Sequence, residues 1–155
     1  MSDTTAQINS LPDFAITASS SLDSAPVSDS RLEDTTGSGS WSASSNAVGE
    51  WIQVDLQEIK VVVKVATQGR RDSEQFVTSY KLATSQNGAF TFVSNDLDES
   101  EKLFTANVDS NSIVEHCLDN IQAQFVRLYP QTWHSHMSLR WNVYVIEYGK
   151  PRCKT

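Results

Sequence analysis

The chain is 155 residues long, carries a formal net charge of −7 and has a pI near 4.8. That length is most simply one domain with a self-sufficient core. The acidity argues against nucleic acid and anionic membrane surfaces as partners, since both select for basic patches. No window approaches the ~18 consecutive apolar residues that a membrane span needs.

In chain order, residues 1–13 read as an N-terminal extension to a core of about 14–149, with 150–155 as a tail. Met1 to Asp13 lacks the basic start and apolar core of a signal peptide. From Ala18 to Glu50 the chain is dominated by Ser, Asp, Thr and Gly and is expected to form one or two long loops. Trp51 to Leu56 alternates weakly, and Val61 to Ala66 is a β-branched run suited to a sandwich interior. Phe76 to Leu82 and Phe90 to Val93 flank Gln86-Asn87-Gly88-Ala89, where Asn-Gly is a strong hairpin signal. Asp96 to Glu101 reads as a solvated acidic loop, with weak calcium binding by its oxygens as the functional alternative.

Ser112 to Leu118, Phe125 to Tyr129 and Leu139 to Tyr148 bring the strands to about eight. Without a sustained 3.6-residue period, helix should be minimal. The expected fold is therefore all-β, an antiparallel jelly-roll β-sandwich. Cys117 and Cys153 form no disulfide framework and lack a metal-binding spacing, so both are expected as unpaired thiols.

The connector Tyr129 to Arg140 crowds two imidazoles, an indole and a guanidinium between two strands. Turns are usually built from Gly, Asn, Asp, Ser and Pro. Functional groups on a loop held by rigid strands mark binding sites.

Six blocks occur in order: Ala18 to Ser21, Glu50 to Leu56, Ala66 to Arg70, Phe76 to Lys81, Phe125 to Pro130 and Thr132 to Arg140. Together they resemble the discoidin, or coagulation-factor C-type, domain from about Phe14 to Gly149. Gln68 to Lys81 is most similar to the slime-mould discoidin lectins. The resemblance implies a galactose-binding-like jelly roll whose ligands bind at loops protruding from one end. Two departures stand out. No cysteine precedes Cys117, so the end-to-end disulfide of many members cannot form. Arg71 also replaces the glycine of the slime-mould Arg-Gly-Asp tripeptide.

Several side chains then become candidates for the ligand. The resemblance places Arg70 beside it, and a guanidinium fork suits vicinal hydroxyls; the alternative is a salt bridge with Asp72 or Glu74. His136 is favoured over His134 by its place in the family motif, His134 being expected on the solvent side. Two histidines at this spacing make a poor zinc site. Trp133 should seal the barrel end. Trp41, in a Ser/Gly-rich loop, is either tucked onto the barrel or offered as a stacking platform. Phe76 is a second platform or the first core residue of its strand. Asp34 would complete a polar triad with Arg70 and His136, or belong to a solvated loop with Glu33. Asp55 and Arg140 are expected as a buried pair or as capping groups.

The leading functional expectation is a lectin-like module for galactose or N-acetylgalactosamine glycans, acting in adhesion or cell-surface recognition. Its sites would be weak singly and strengthened by homo-oligomerisation, trimeric as the resemblance implies. Such a role is extracellular or at the cell surface. Protein–protein adhesion is the alternative. Phospholipid binding is disfavoured, because the first long loop offers only Leu22, Pro26 and Val27 with Arg31. Nothing specifies a nucleophile with a positioned base, so no enzymatic activity is expected.

Overall fold

The structure, a computed structural model, describes residues 5–146. Nine strands follow in order: β1 (Thr5–Ala6), β2 (Ile16–Ala18), β3 (Trp41–Ser42), β4 (Ile52–Gln68), β5 (Phe76–Ser85), β6 (Thr91–Phe92), β7 (Phe104–Thr105), β8 (Val114–His134) and β9 (Ser138–Ile146). Their pairings are antiparallel. The helical content of the described residues is three 3-10 turns, at Ile8–Ser10, Asp13–Ala15 and Val27–Asp29.

Two pairs of expected strands are fused. β4 joins Trp51–Leu56 to Val61–Ala66, and β8 joins Ser112–Leu118 to Phe125–Tyr129. β4 and β8 stay hydrogen-bonded along both halves, with a register shift between Asp55 and Lys60. The ribbon turns over there, where Gln57 (φ 72) is left-handed; a second register shift, between Val62 and Lys64, lies opposite left-handed Asn120 (φ 48). Asp55 supports this corner, its Oδ1 accepting from the Gln57 backbone N at 2.7 Å and Gln124 Nε2 at 3.0 Å. One half of the ribbon carries β9 and β1, the other β2, β5, β6 and β7.

Alternation then fills the space between the halves. Ile52, Val54, Leu56, Val126 and Leu128 from one side meet Val62, Val65, Trp141 and Val143 from the other in a single core. The Asn87-Gly88 hairpin forms as expected. Gly88 takes φ 101, and Ser85 Oγ accepts from the N–H groups of Asn87 and Gly88.

The outward face of the second half carries its own cluster. Gln53, Arg127, Ala83 and Phe92 lie directly opposite one another across four strands. The Arg127 guanidinium is sandwiched 4.1 Å from the Trp51 ring and 4.1 Å from the Phe90 ring. It donates to Gln53 Oε1 at 2.8 Å and Tyr129 Oη at 3.0 Å. Ala83 is fully buried in this row.

Two expectations are corrected. The N-terminal segment belongs to the barrel: Thr5 and Ala6 pair with Val145 and Tyr144, Ile8 is fully buried, and its N–H reaches Asn142 Oδ1 at 2.9 Å. Cys117 is disulfide-bonded rather than an unpaired thiol. It is only half-buried beside inward-facing Leu118, so it does not serve as a core apolar residue. Cys153 lies outside the described residues.

Candidate functional site

Pairing brings the chemistry-bearing loops to one end. Gln68 at the end of β4 lies opposite Arg140, Phe76 at the start of β5 opposite His134, and Trp41 opposite Leu139. The 19–51, 69–75, 106–113 and 135–137 connections therefore share a rim.

Side chains, more than regular structure, shape these loops. Arg140 is only 2 % exposed. It donates from Nε to Gly69 O at 2.8 Å, from Nη1 to Asp34 O at 3.1 Å, and from Nη2 to Ser110 O at 3.1 Å and Asn111 Oδ1 at 2.8 Å. Burial, and next the charge of Arg71, pull its pKa below the ordinary arginine value, against the carboxylates of Asp34, Glu33 and Asp72. The expected Asp55–Arg140 pair is not formed, because Asp55 works at the opposite corner. Gly69 is required beside this fork: a Cβ there would meet Phe76 Cβ at 2.7 Å and Gln75 O at 2.9 Å.

Three further anchors tie the rim together. Arg71 pairs with Asp72 at 2.7 Å and donates to Gly37 O at 3.1 Å, joining the 69–75 loop to the 36–39 loop. A buried hydroxyl chain runs from Ser40 through Ser42 and Ser138 to Gln75 Oε1. Glu50 accepts from Ser20, Ser19 and Ser45, and these hydrogen bonds, that of Ser20 foremost, hold its pKa below the ordinary carboxylate value. These anchors were not anticipated from the sequence, although the serines at 19–21 and 44–45 hint at hydroxyl donors for Glu50.

The candidate residues separate clearly. Arg70 stands at the rim, half-buried, and its guanidinium makes no hydrogen bond or ion pair among the described residues; its Nε is enclosed without a partner. The alternative salt bridge with Asp72 or Glu74 is not formed among the described residues, and Asp72 pairs with Arg71 instead. Phe76 is largely buried, and the exposed His134 ring stacks on it at 4.9 Å and 13°. With Glu74, Thr78, Val108 and Asp109, these two rings line a shallow hollow.

Trp133 is half-buried and packs against the core, as a seal would. Asp34 turns its carboxylate onto its own loop, accepting from Thr36 N at 2.7 Å and Thr36 Oγ1 at 2.5 Å. Two candidates are corrected. Trp41 is fully buried, with Nε1 donating to Ser20 O at 2.9 Å and Ser21 Oγ at 3.1 Å, so no ring face is offered to a ligand. His136 is also committed: Nε2 donates to Ala43 O at 2.8 Å, and Nδ1 accepts from Asn46 Nδ2 at 3.3 Å. Of the two histidines, His134 is the one open to solvent. The expected triad of Arg70, His136 and Asp34 thus has one free member, Arg70.

The acidic 96–101 segment does not assemble into a cation cage. Asp98 is occupied by Ser100 and Glu101 by Lys81 at 2.9 Å, and no group of three or more metal-binding side chains converges among the described residues.

Comparison with known proteins places this architecture. The F5/8 type C domain family model matches residues 15–143. Rat (Rattus norvegicus) lactadherin is 37% identical over 85% of the chain, which spans about a third (33%) of that protein's length. The solved structure of discoidin II from Dictyostelium discoideum is 31% identical, with TM-score 0.79, covering 85% of this chain and 55% of that one. The family 32 carbohydrate-binding module of C. perfringens NanJ, solved with galactose, shares the fold at 22% identity and TM-score 0.67, covering 91% of this chain and 98% of that one. With its nine-stranded jelly roll and loop-bearing rim, the chain belongs to the F5/8 type C, or discoidin, domain family.

Proposed function

We propose that the chain is a non-catalytic carbohydrate-binding module that takes galactose- or N-acetylgalactosamine-type glycans at the rim around Arg70. One observation carries the reading: a half-buried guanidinium stands at the loop end with no protein partner among the described residues. A fork of donors left unsatisfied by the fold suits acceptor oxygens supplied by a ligand. Beside its loop, the stacked Phe76 and His134 rings offer a flat surface for the apolar face of a sugar, with His134 in the role first expected of His136. The galactose bound by the NanJ module, on the same fold, supports this ligand class.

Sugar contacts exchange water hydrogen bonds for protein ones, so single sites are weak and avidity comes from several copies. The disulfide at Cys117 fits an oxidising, extracellular or cell-surface setting.

The test is retention on a galactose resin, with a glycan array run with and without a calcium chelator. Arg70→Ala should abolish retention while the melting temperature moves by no more than a few degrees. The chelator arm reads directly whether calcium takes part in retention. Unchanged retention in Arg70→Ala overturns the assignment.

Val48 and Val108, 65% and 82% exposed on two of the rim loops, favour membrane lipid as the second reading. A salt-sensitive pellet with phosphatidylserine vesicles, and none with glycans, would put it first.

A further inference from the structure

Arg140 is unusual among the buried side chains. Its guanidinium forms no ion pair among the described residues, and its four donated bonds go to three separate loops: Gly69 O, Asp34 O, and Ser110 O with Asn111 Oδ1. A buried charge satisfied this way is an expensive means of filling space, since an apolar side chain of similar volume avoids the desolvation cost. What the planar fork supplies instead is direction. Its donors fix the mutual spacing of the carbonyls they meet. The loops it holds have side-chain anchors rather than strands, and Gly69 is the residue immediately before Arg70.

We propose that Arg140 is the positioning residue of the rim. It touches no ligand; it sets the distances between the 33–36, 69–75 and 109–112 segments, so that a ligand meets a preformed cup. The hydroxyl chain ending at Gln75 holds the far side of the middle loop, Arg71 ties that loop to Gly37, and Gln68 bridges Glu33 to Asn111; among the described residues Arg140 is the side chain that reaches all three segments. The identity of the ligand rests on the carbohydrate reading, whereas the coupling of the three segments does not.

The experiment compares Arg140→Met and Arg140→Lys with the wild-type chain in two measurements. Amide hydrogen exchange should accelerate at 33–36, 69–75 and 109–112 in Arg140→Met, while the centres of β4, β5 and β8 keep their protection. Affinity for N-acetylgalactosamine should fall about tenfold, since loops that must be ordered on binding cost affinity. Arg140→Lys, which keeps the charge but loses the fork, should fall between the two.

Exchange rising together across the whole sheet would make Arg140 an ordinary core element and overturn the proposal, as would loops and affinity that do not change. Should Arg140→Met fail to fold, the exchange pattern of Arg140→Lys decides the question. A wild-type chain that binds no sugar removes the carbohydrate reading, and the exchange pattern still judges Arg140.

Discussion

Replacing Arg127 tests the outward cluster on the second half of the ribbon. The guanidinium lies 4.1 Å from each of two ring centroids and donates to Gln53 Oε1 and Tyr129 Oη. A cation over an aromatic face contributes about 0.5–1 kcal/mol when exposed and about 2 when desolvated, so two half-buried faces contribute about 2 kcal/mol. The hydrogen bonds are open to water and add about 0.5 kcal/mol net. Arg127→Ala should therefore destabilise by about 2–3 kcal/mol. At about 2 kcal/mol per molar of urea, the unfolding midpoint falls by about 1 M. Arg127→Lys keeps the charge but not the plane, and should recover less than half of the loss. Equilibrium urea unfolding by tryptophan fluorescence and circular dichroism together gives the numbers. An Arg127→Ala midpoint within 0.2 M of wild type, or a lysine variant as stable as arginine, would refute the stacking argument.

Tyr80 is fully buried, its hydroxyl has no partner among the described residues, and burial pushes its pKa up. Tyr80→Phe should leave stability unchanged or raise it by about 1 kcal/mol; a clear drop in thermal unfolding would reveal a partner that the hydroxyl does have. The depressed pKa of Glu50 means that its contribution is fully present above the ordinary carboxylate range and is lost as pH falls through its folded value. Exchange at residues 19–21 and 43–51 should accelerate selectively on acidification below pH ~4, and Glu50→Gln should show raised exchange there at neutral pH with no further acid step. A Glu50→Gln variant that keeps the wild-type acid step would assign that step to another group.

Strand content was legible because residues 52, 54 and 56, like 126 and 128, alternate with outward polar or aromatic neighbours. The six ordered blocks added the family, and with it the loop end. Other features were hidden for identifiable reasons. The corner of the β4–β8 ribbon is written in Gln57 and Glu58, and its second register shift in Asn120; these look like loop residues, so two bent strands read as four. Trp41 has serines on both sides, and only the fold shows that Ser40 and Ser42 are themselves buried in a hydroxyl chain. His134 is exposed, as expected of the solvent side, whereas His136, favoured for the ligand, is tied to Ala43 O and Asn46; Ser135 between them takes φ 64, which breaks the simple rule that residues two apart face the same way. An arginine within a strand pattern does not announce which loops its fork will reach. Nor does a two-residue strand such as Thr5–Ala6 carry a period to detect.

The folded-over ribbon has a mechanical consequence. In a sandwich whose layers are joined only by flexible connections, one layer can peel from the other with each internally intact. Here both layers are built on the same two strands, so what joins them is the paired β4–β8 ribbon itself rather than a flexible loop. Parting the two layers must therefore bend both strands at their shared corner, at Asp55 to Lys60.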